Sequence, residues 1–191
     1  MKFIVGLVLG LALVPFGAYL YFTGGSAPVA TTDSDMPFER FFAKKALHAR
    51  IAKDMPKSEP IQTNEANYLA GAELYKQDCA VCHGLPLTPK TAVAAGMYPA
   101  PPLLLEGKGV TDDPAGESYW KIFNGLRLTG MPGFRKSLSE TQMWQLALLL
   151  ANVDKLPSSA KTALVTPLAS PAMSAPAATA PASPPSAPSP K

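Results

Sequence analysis

Hydrophobic and polar positions along this chain fall into four regimes. From Phe3 to Phe22, "FIVGLVLGLALVPFGAYLYF", twenty residues carry no charge. At helical rise such a run spans roughly 30 Å, the thickness of a bilayer's hydrocarbon core, and it is longer than the apolar part of a cleaved leader. A signal anchor over residues 1–27 is the expectation, with cleavage near Ser26 in "TGGSAP" as the alternative. Pro15 and Gly17 are tolerated by a helix in lipid, and Tyr19 and Tyr21 suit the outer interface. Lys2 ahead of the span places the amino terminus in the cytoplasm and the rest of the chain outside the cytoplasmic membrane.

The second regime is amphipathic and basic. In a linker over residues 28–60, "PFERFFAKKALHARIAKDMP" predicts a helix from Pro37 to about Asp54. Phe38, Phe41, Phe42, Ala46, Ala49 and Ile51 are assigned to one side, and Arg40, Lys44, Lys45, Arg50 and Lys53 stand against Glu39. Such a helix either packs on the adjoining domain or docks on anionic lipid or a partner subunit.

The third regime, residues 61–156, predicts helices separated by proline-rich loops. One helix runs from about Asn64 to Gln77 with Thr63 or Asn64 as its cap, and delivers the chain into Cys79. Five prolines and four glycines between residues 84 and 110 exclude long regular structure there. A helix returns at "DDPAGESYWKIFNGL", capped by Asp113, started by Pro114 and ended by Gly125. The last helix opens on the capping box of Ser139 and Gln142 and has an almost wholly apolar body. With no alternating strand pattern, the domain is expected to be all-α. The fourth regime, 157–191, holds nine prolines among 35 residues that are nearly all Pro, Ala, Ser and Thr, and a disordered tail is expected.

Composition narrows the function classes. The net charge of the chain is +3, yet residues 61–156 carry eight Lys and Arg against nine Asp and Glu, a balance of −1. No basic face for nucleic acid is expected. That region is close to the size at which one hydrophobic core needs reinforcement, which a covalently bound cofactor would supply.

The chemistry concentrates in "DCAVCHG", residues 78–84, which holds both cysteines of the chain. A thioredoxin-like dithiol requires a βαβ context, whereas this motif ends a helix. A structural zinc site requires four ligands, and beyond Cys79, Cys82 and His83 there is only His48. Covalent haem lacks nothing: two thiols two residues apart add to the two vinyl groups of a porphyrin, and His83 then becomes the proximal iron ligand. Met131, between Gly130 and Pro132 in "RLTGMPGF", is the candidate sixth ligand, with Met97 the competitor and an open or His48-ligated iron the remaining alternatives. Gly130 and Pro132 are read as fixing an unusual loop path around it.

Three blocks in this order, "NYLAGAELYKQDCAVCHG", "YWKIFNGLRLTGMPGF" and "LSETQMWQLALLLANV", resemble the class I c-type cytochromes over about Asn64 to Asp154. The resemblance implies a small helical domain wrapped around one haem c, attached through Cys79 and Cys82, with iron held by His83 and Met131. It implies a close crossing of the first and last helices at a small residue, matched by Gly71 with Tyr75 against Trp144 with Leu148. It also implies that a proline carbonyl, from Pro99, Pro101 or Pro102, accepts the proximal imidazole N–H. The expected function is single-electron transfer by a membrane-tethered carrier facing the periplasm. Expected partners are a membrane dehydrogenase, a quinol-oxidising complex or a terminal oxidase. One alternative is a non-catalytic subunit of such a complex; another is a peroxidase or gas sensor with an open iron, using His48 or Arg127.

Overall fold

In the computed structural model, which describes residues 2–106 and 113–166, regular structure is helical throughout, with no strand among the described residues. Helix α1, Lys2–Thr23, buries no residue and is long and apolar enough to cross a membrane. Helix α2, Glu39–Asp54, comes after a connection of 15 residues from Gly24 to Phe38. Asp33 orders part of that connection by accepting the Val29 and Ala30 N–H groups at 2.9 and 2.8 Å.

The core is built where α3, Glu65–Leu74, and α6, Ala115–Asn124, pack against α7, Glu140–Ala151. Helix α7 is central because it is apolar on nearly every side: Met143, Trp144 and Leu146 to Leu150 are all buried. Each buried leucine contributes about 1.5–3 kcal/mol relative to exposure. The Ser139–Gln142 capping box that starts this helix forms in both directions. Trp144 stacks on Tyr119 of α6, with ring centroids 4.3 Å apart.

Gly71 of α3 makes the crossing with α7. A Cβ there would lie 2.9 Å from the Gln145 carbonyl carbon and 3.2 Å from Leu149 Cβ. The crossing is therefore expected in kind but displaced by one residue. Gln145 and Leu149 face Gly71, while Trp144 turns to Tyr119 and the Tyr75 hydroxyl reaches the Gly84 carbonyl.

Four expectations are corrected. First, the chain past residue 156 is not all tail: Ser158–Val165 forms helix α8, which lies on α3 and buries Ala160 and Leu164. Its buried residues are spaced four apart, so one helical face suffices to anchor it despite a composition of tail type. The expectation for residues 167–191 falls outside the described residues. Second, α2 does not present its apolar residues on one side. Ile51 is buried, whereas Phe38, Phe41 and Phe42 are 72%, 56% and 65% exposed. Third, Pro114 is itself the N-cap of α6, and Asp113 instead accepts from Lys121 at 3.3 Å. Fourth, α3 does not run unbroken to Gln77. It ends at Leu74 and passes into a π turn, Tyr75–Cys79.

Candidate haem-attachment site

The π turn and the four-residue helix α4, Ala80–His83, carry the whole Cys-x-x-Cys-His motif. A π turn inserts an extra residue into the helical ladder and re-aims the side chains beyond it, which is why such turns recur at functional sites. Tyr75 starts it. Its ring is fully buried and its hydroxyl donates to the Gly84 carbonyl at 3.0 Å, clamping the far end of the motif. On the other flank the Thr91 hydroxyl donates to the Val81 carbonyl at 2.6 Å and caps α5, Ala92–Ala95. Neither contact is signalled by local sequence, since each joins residues about ten apart through a turn of unforeseen geometry.

Cys79 and Cys82 are both partly buried and form no disulfide. Burial, aided by Asp78 and Cys82, pushes the Cys79 thiol up to about 12. A reactive dithiol needs the opposite, a thiol held below its ordinary value, so this environment does not suit redox exchange. Nor is a zinc site assembled. No group of three or more His, Cys, Asp or Glu with metal-holding geometry occurs among the described residues.

The orientation of His83 is fixed through its other nitrogen. Nδ1 lies 2.8 Å from the Pro102 carbonyl oxygen, so of the three prolines the sequence leaves open, Pro102 is the acceptor. Donation from Nδ1–H selects the tautomer whose Nε2 lone pair is available to a metal. Burial holds the imidazole pKa below its ordinary value, with the Pro102 bond opposing, so the neutral, metal-binding form is favoured.

Met131 lies on the loop that leaves α6. The loop returns on itself: Leu126 N–H donates to the Met131 carbonyl at 3.1 Å and Phe134 N–H to the Ile122 carbonyl at 2.9 Å. Gly125, at φ +70°, permits the close return, since a Cβ there would lie 2.5 Å from the Gly133 nitrogen. Gly130 has a different role from the one its sequence position suggests. It has no positive φ, and the space a side chain would take there is occupied by the Met97 methyl group. The competitor sulfur therefore lies beside the candidate loop as a packing partner.

Residues of the motif and Met131 both pack on the main core. Cys79, Ala80, Leu85, Leu104, Leu105, Met131 and Phe134 are partly buried and pack on the main core. His48 is exposed on α2 and Arg127 is exposed on the Met131 loop. Two unpaired thiols, one oriented imidazole and the thioether of the Met131 loop are a donor set whose chemistry fits a haem.

Comparison with known proteins agrees. Residues 66–150 match the family described as "Cytochrome C oxidase, cbb3-type, subunit III". Among solved structures, a chain of the Kuenenia stuttgartiensis reducing HAO-like protein complex Kustc0457/Kustc0458 is 25% identical, with a TM-score of 0.43 over 49% of this chain and 46% of that one. This chain thus spans about half the length of that relative. A search of curated proteins found no match. Over residues 66–150 the helical build, the motif and the family match support a c-type cytochrome domain.

Proposed function

We propose that this chain is a membrane-tethered monohaem cytochrome c that passes single electrons between respiratory partners on the periplasmic side of the cytoplasmic membrane. The partners would be a membrane dehydrogenase, a quinol-oxidising complex or a terminal oxidase. The observation carrying this reading is the 2.8 Å contact between His83 Nδ1 and the Pro102 carbonyl, which leaves Nε2 for iron beside two unpaired thiols.

Haem supplies one-electron chemistry when bound. The chain's own residues do the rest. Cys79 and Cys82 would hold the porphyrin edge through thioethers, and His83 would ligate from the side that Pro102 sets. Met131 is assigned the sixth position, where a soft thioether favours reduced iron and raises the potential relative to a second imidazole. Leu85, Leu104, Leu105 and Phe134, partly buried on the core, would exclude water from the bound group. Helix α1 would provide the tether.

A pyridine haemochrome assay on the purified chain, with spectra of both oxidation states and a potentiometric titration, tests the reading. One covalent haem per chain and a six-coordinate iron that does not bind carbon monoxide are expected. Absence of haem, or an iron that takes up carbon monoxide readily, overturns it, the latter in favour of a peroxidase or gas sensor.

A second reading rests on the description of the matching family as an oxidase subunit. The chain would then serve as a haem-bearing subunit of a larger oxidoreductase. Co-purification of stoichiometric partners after mild detergent extraction favours this reading, and a chain extracted alone favours the independent carrier.

A further inference from the structure

Helix α2 is fastened to the domain by the face opposite to its aromatic residues. Ile51 is 1% exposed, Leu47 is half-buried, and α2 touches α6. Just past its end, the Pro56 carbonyl sits against Gly116, where a side chain would collide with it. At the other end Arg40 pairs with Asp35 and lies over the Tyr98 ring, 5.8 Å from its centroid, while the Tyr98 hydroxyl donates to Asp35. The helix is thus held at both ends.

At about 100° per residue, Leu47, Arg40 and Ile51 share one side, and Phe41, Phe42, Lys45 and Ala49 share the other, where Phe38, the N-cap, joins them through its ring contact with Phe42. The three phenylalanines touch one another edge to face, with centroids 6.4 and 5.3 Å apart. Lys45 and Lys53 lie on or beside the aromatic side, are exposed, and form no ion pair among the described residues. Arg50, by contrast, is neutralised by Asp54.

An exposed aromatic cluster bordered by lysines matches the interfacial zone of an anionic bilayer, where rings sit at headgroup depth and lysine stems reach outward to phosphate. The connection from α1, 15 residues long, spans at most about 50 Å even fully extended, so α2 remains close to any bilayer that α1 crosses. Resting on the reading of α1 as a membrane span, we infer that the Phe38–Phe41–Phe42 face of α2, with Lys45 and Lys53, docks on the anionic phospholipid surface of that membrane.

The test uses the full haem-loaded chain, in which thioether formation has consumed Cys79 and Cys82, so that Ala49→Cys supplies a single thiol for a nitroxide spin label. Ala43→Cys, on the far side, is the control. After reconstitution in vesicles of mixed phosphatidylglycerol and phosphatidylcholine, the label at 49 should lose collisions with a water-soluble nickel chelate severalfold and gain collisions with oxygen. The label at 43 should change little. Replacing Lys45 and Lys53 with Glu, or Phe38, Phe41 and Phe42 with Ser, should restore chelate access at 49.

Carbonate extraction of the same vesicles reads the α1 assignment separately. If the chain stays integral while position 49 remains open to the chelate, docking is overturned and the tether stands. If carbonate releases the chain, the tether reading fails, and protection of position 49 on added anionic vesicles still decides docking. Protection that appears only when other membrane proteins are present overturns the lipid assignment in favour of a protein partner.

Discussion

Gly71 and Gln145 are in backbone contact where the first and last core helices cross. Gly71→Ala would place a Cβ 2.9 Å from the Gln145 carbonyl carbon and 3.2 Å from Leu149 Cβ, and both lie on a helix that has no room to retreat. Separation of the helices should cost about 1–3 kcal/mol, measured by denaturant unfolding of the haem-loaded protein. A variant as stable as the parent would show that the crossing is looser than described.

Covalent attachment divides between two thiols. Cys79→Ala with Cys82→Ala should abolish haem that survives denaturation, read by haem staining after denaturing electrophoresis. Each single variant should retain one thioether and a shifted haemochrome spectrum. Full covalent haem in the double variant would remove the assignment.

Met131→Ala should leave haem attached, eliminate the long-wavelength sulfur-to-iron charge-transfer band and lower the reduction potential. Met97→Ala should keep the band, because Met131 is the assigned ligand and Met97 packs its methyl group at Gly130. The reverse pattern would reassign the sixth ligand to Met97.

Stability should decline at alkaline pH through Tyr75. Burial holds its hydroxyl pKa above the ordinary phenol range, with Cys79 adding to the shift. The folded state retains a proton that the unfolded chain releases near pH ~10, so the contribution is complete below that pH and is lost as pH rises through and beyond it. Tyr75→Phe should flatten this decline while costing about 1 kcal/mol at neutral pH through the unpaired Gly84 carbonyl. Urea titrations across the alkaline range check it, and an unchanged alkaline slope would assign the decline to other groups.

Helix α8 should be needed for full stability. Besides burying Ala160 and Leu164, it brings the Thr166 carbonyl to 3.2 Å from the Nζ of Lys76, whose side chain is only 4% exposed and pairs with Glu73 at 2.9 Å. Truncation after Leu156 should therefore cost about 2–4 kcal/mol, as apolar surface is uncovered and a buried ammonium loses an acceptor. An unchanged unfolding midpoint would mean that α8 is ornamental.

Much of this molecule is readable from local signals. The capping box at Ser139, the apolar body of α7 and the spacing of Cys79, Cys82 and His83 each depend on residues within a turn or two of one another. What sequence leaves open are relations across distance. Three prolines are equally eligible as the His83 acceptor, and only tertiary placement selects Pro102. The aromatic side of α2 looks like a packing face by hydrophobicity, yet the domain takes Ile51 because Arg40 and Tyr98 orient the helix the other way. Gly130 reads as a conformational hinge and proves to be a space left for Met97.

The family match stops at residue 150, while the packed interior continues to Leu164. What is recognisable by similarity is thus shorter than what folds together. Anyone grafting this domain onto another scaffold, or placing a protease site or fluorescent fusion behind it, should move the junction past Thr166, or part of the interior will be left behind.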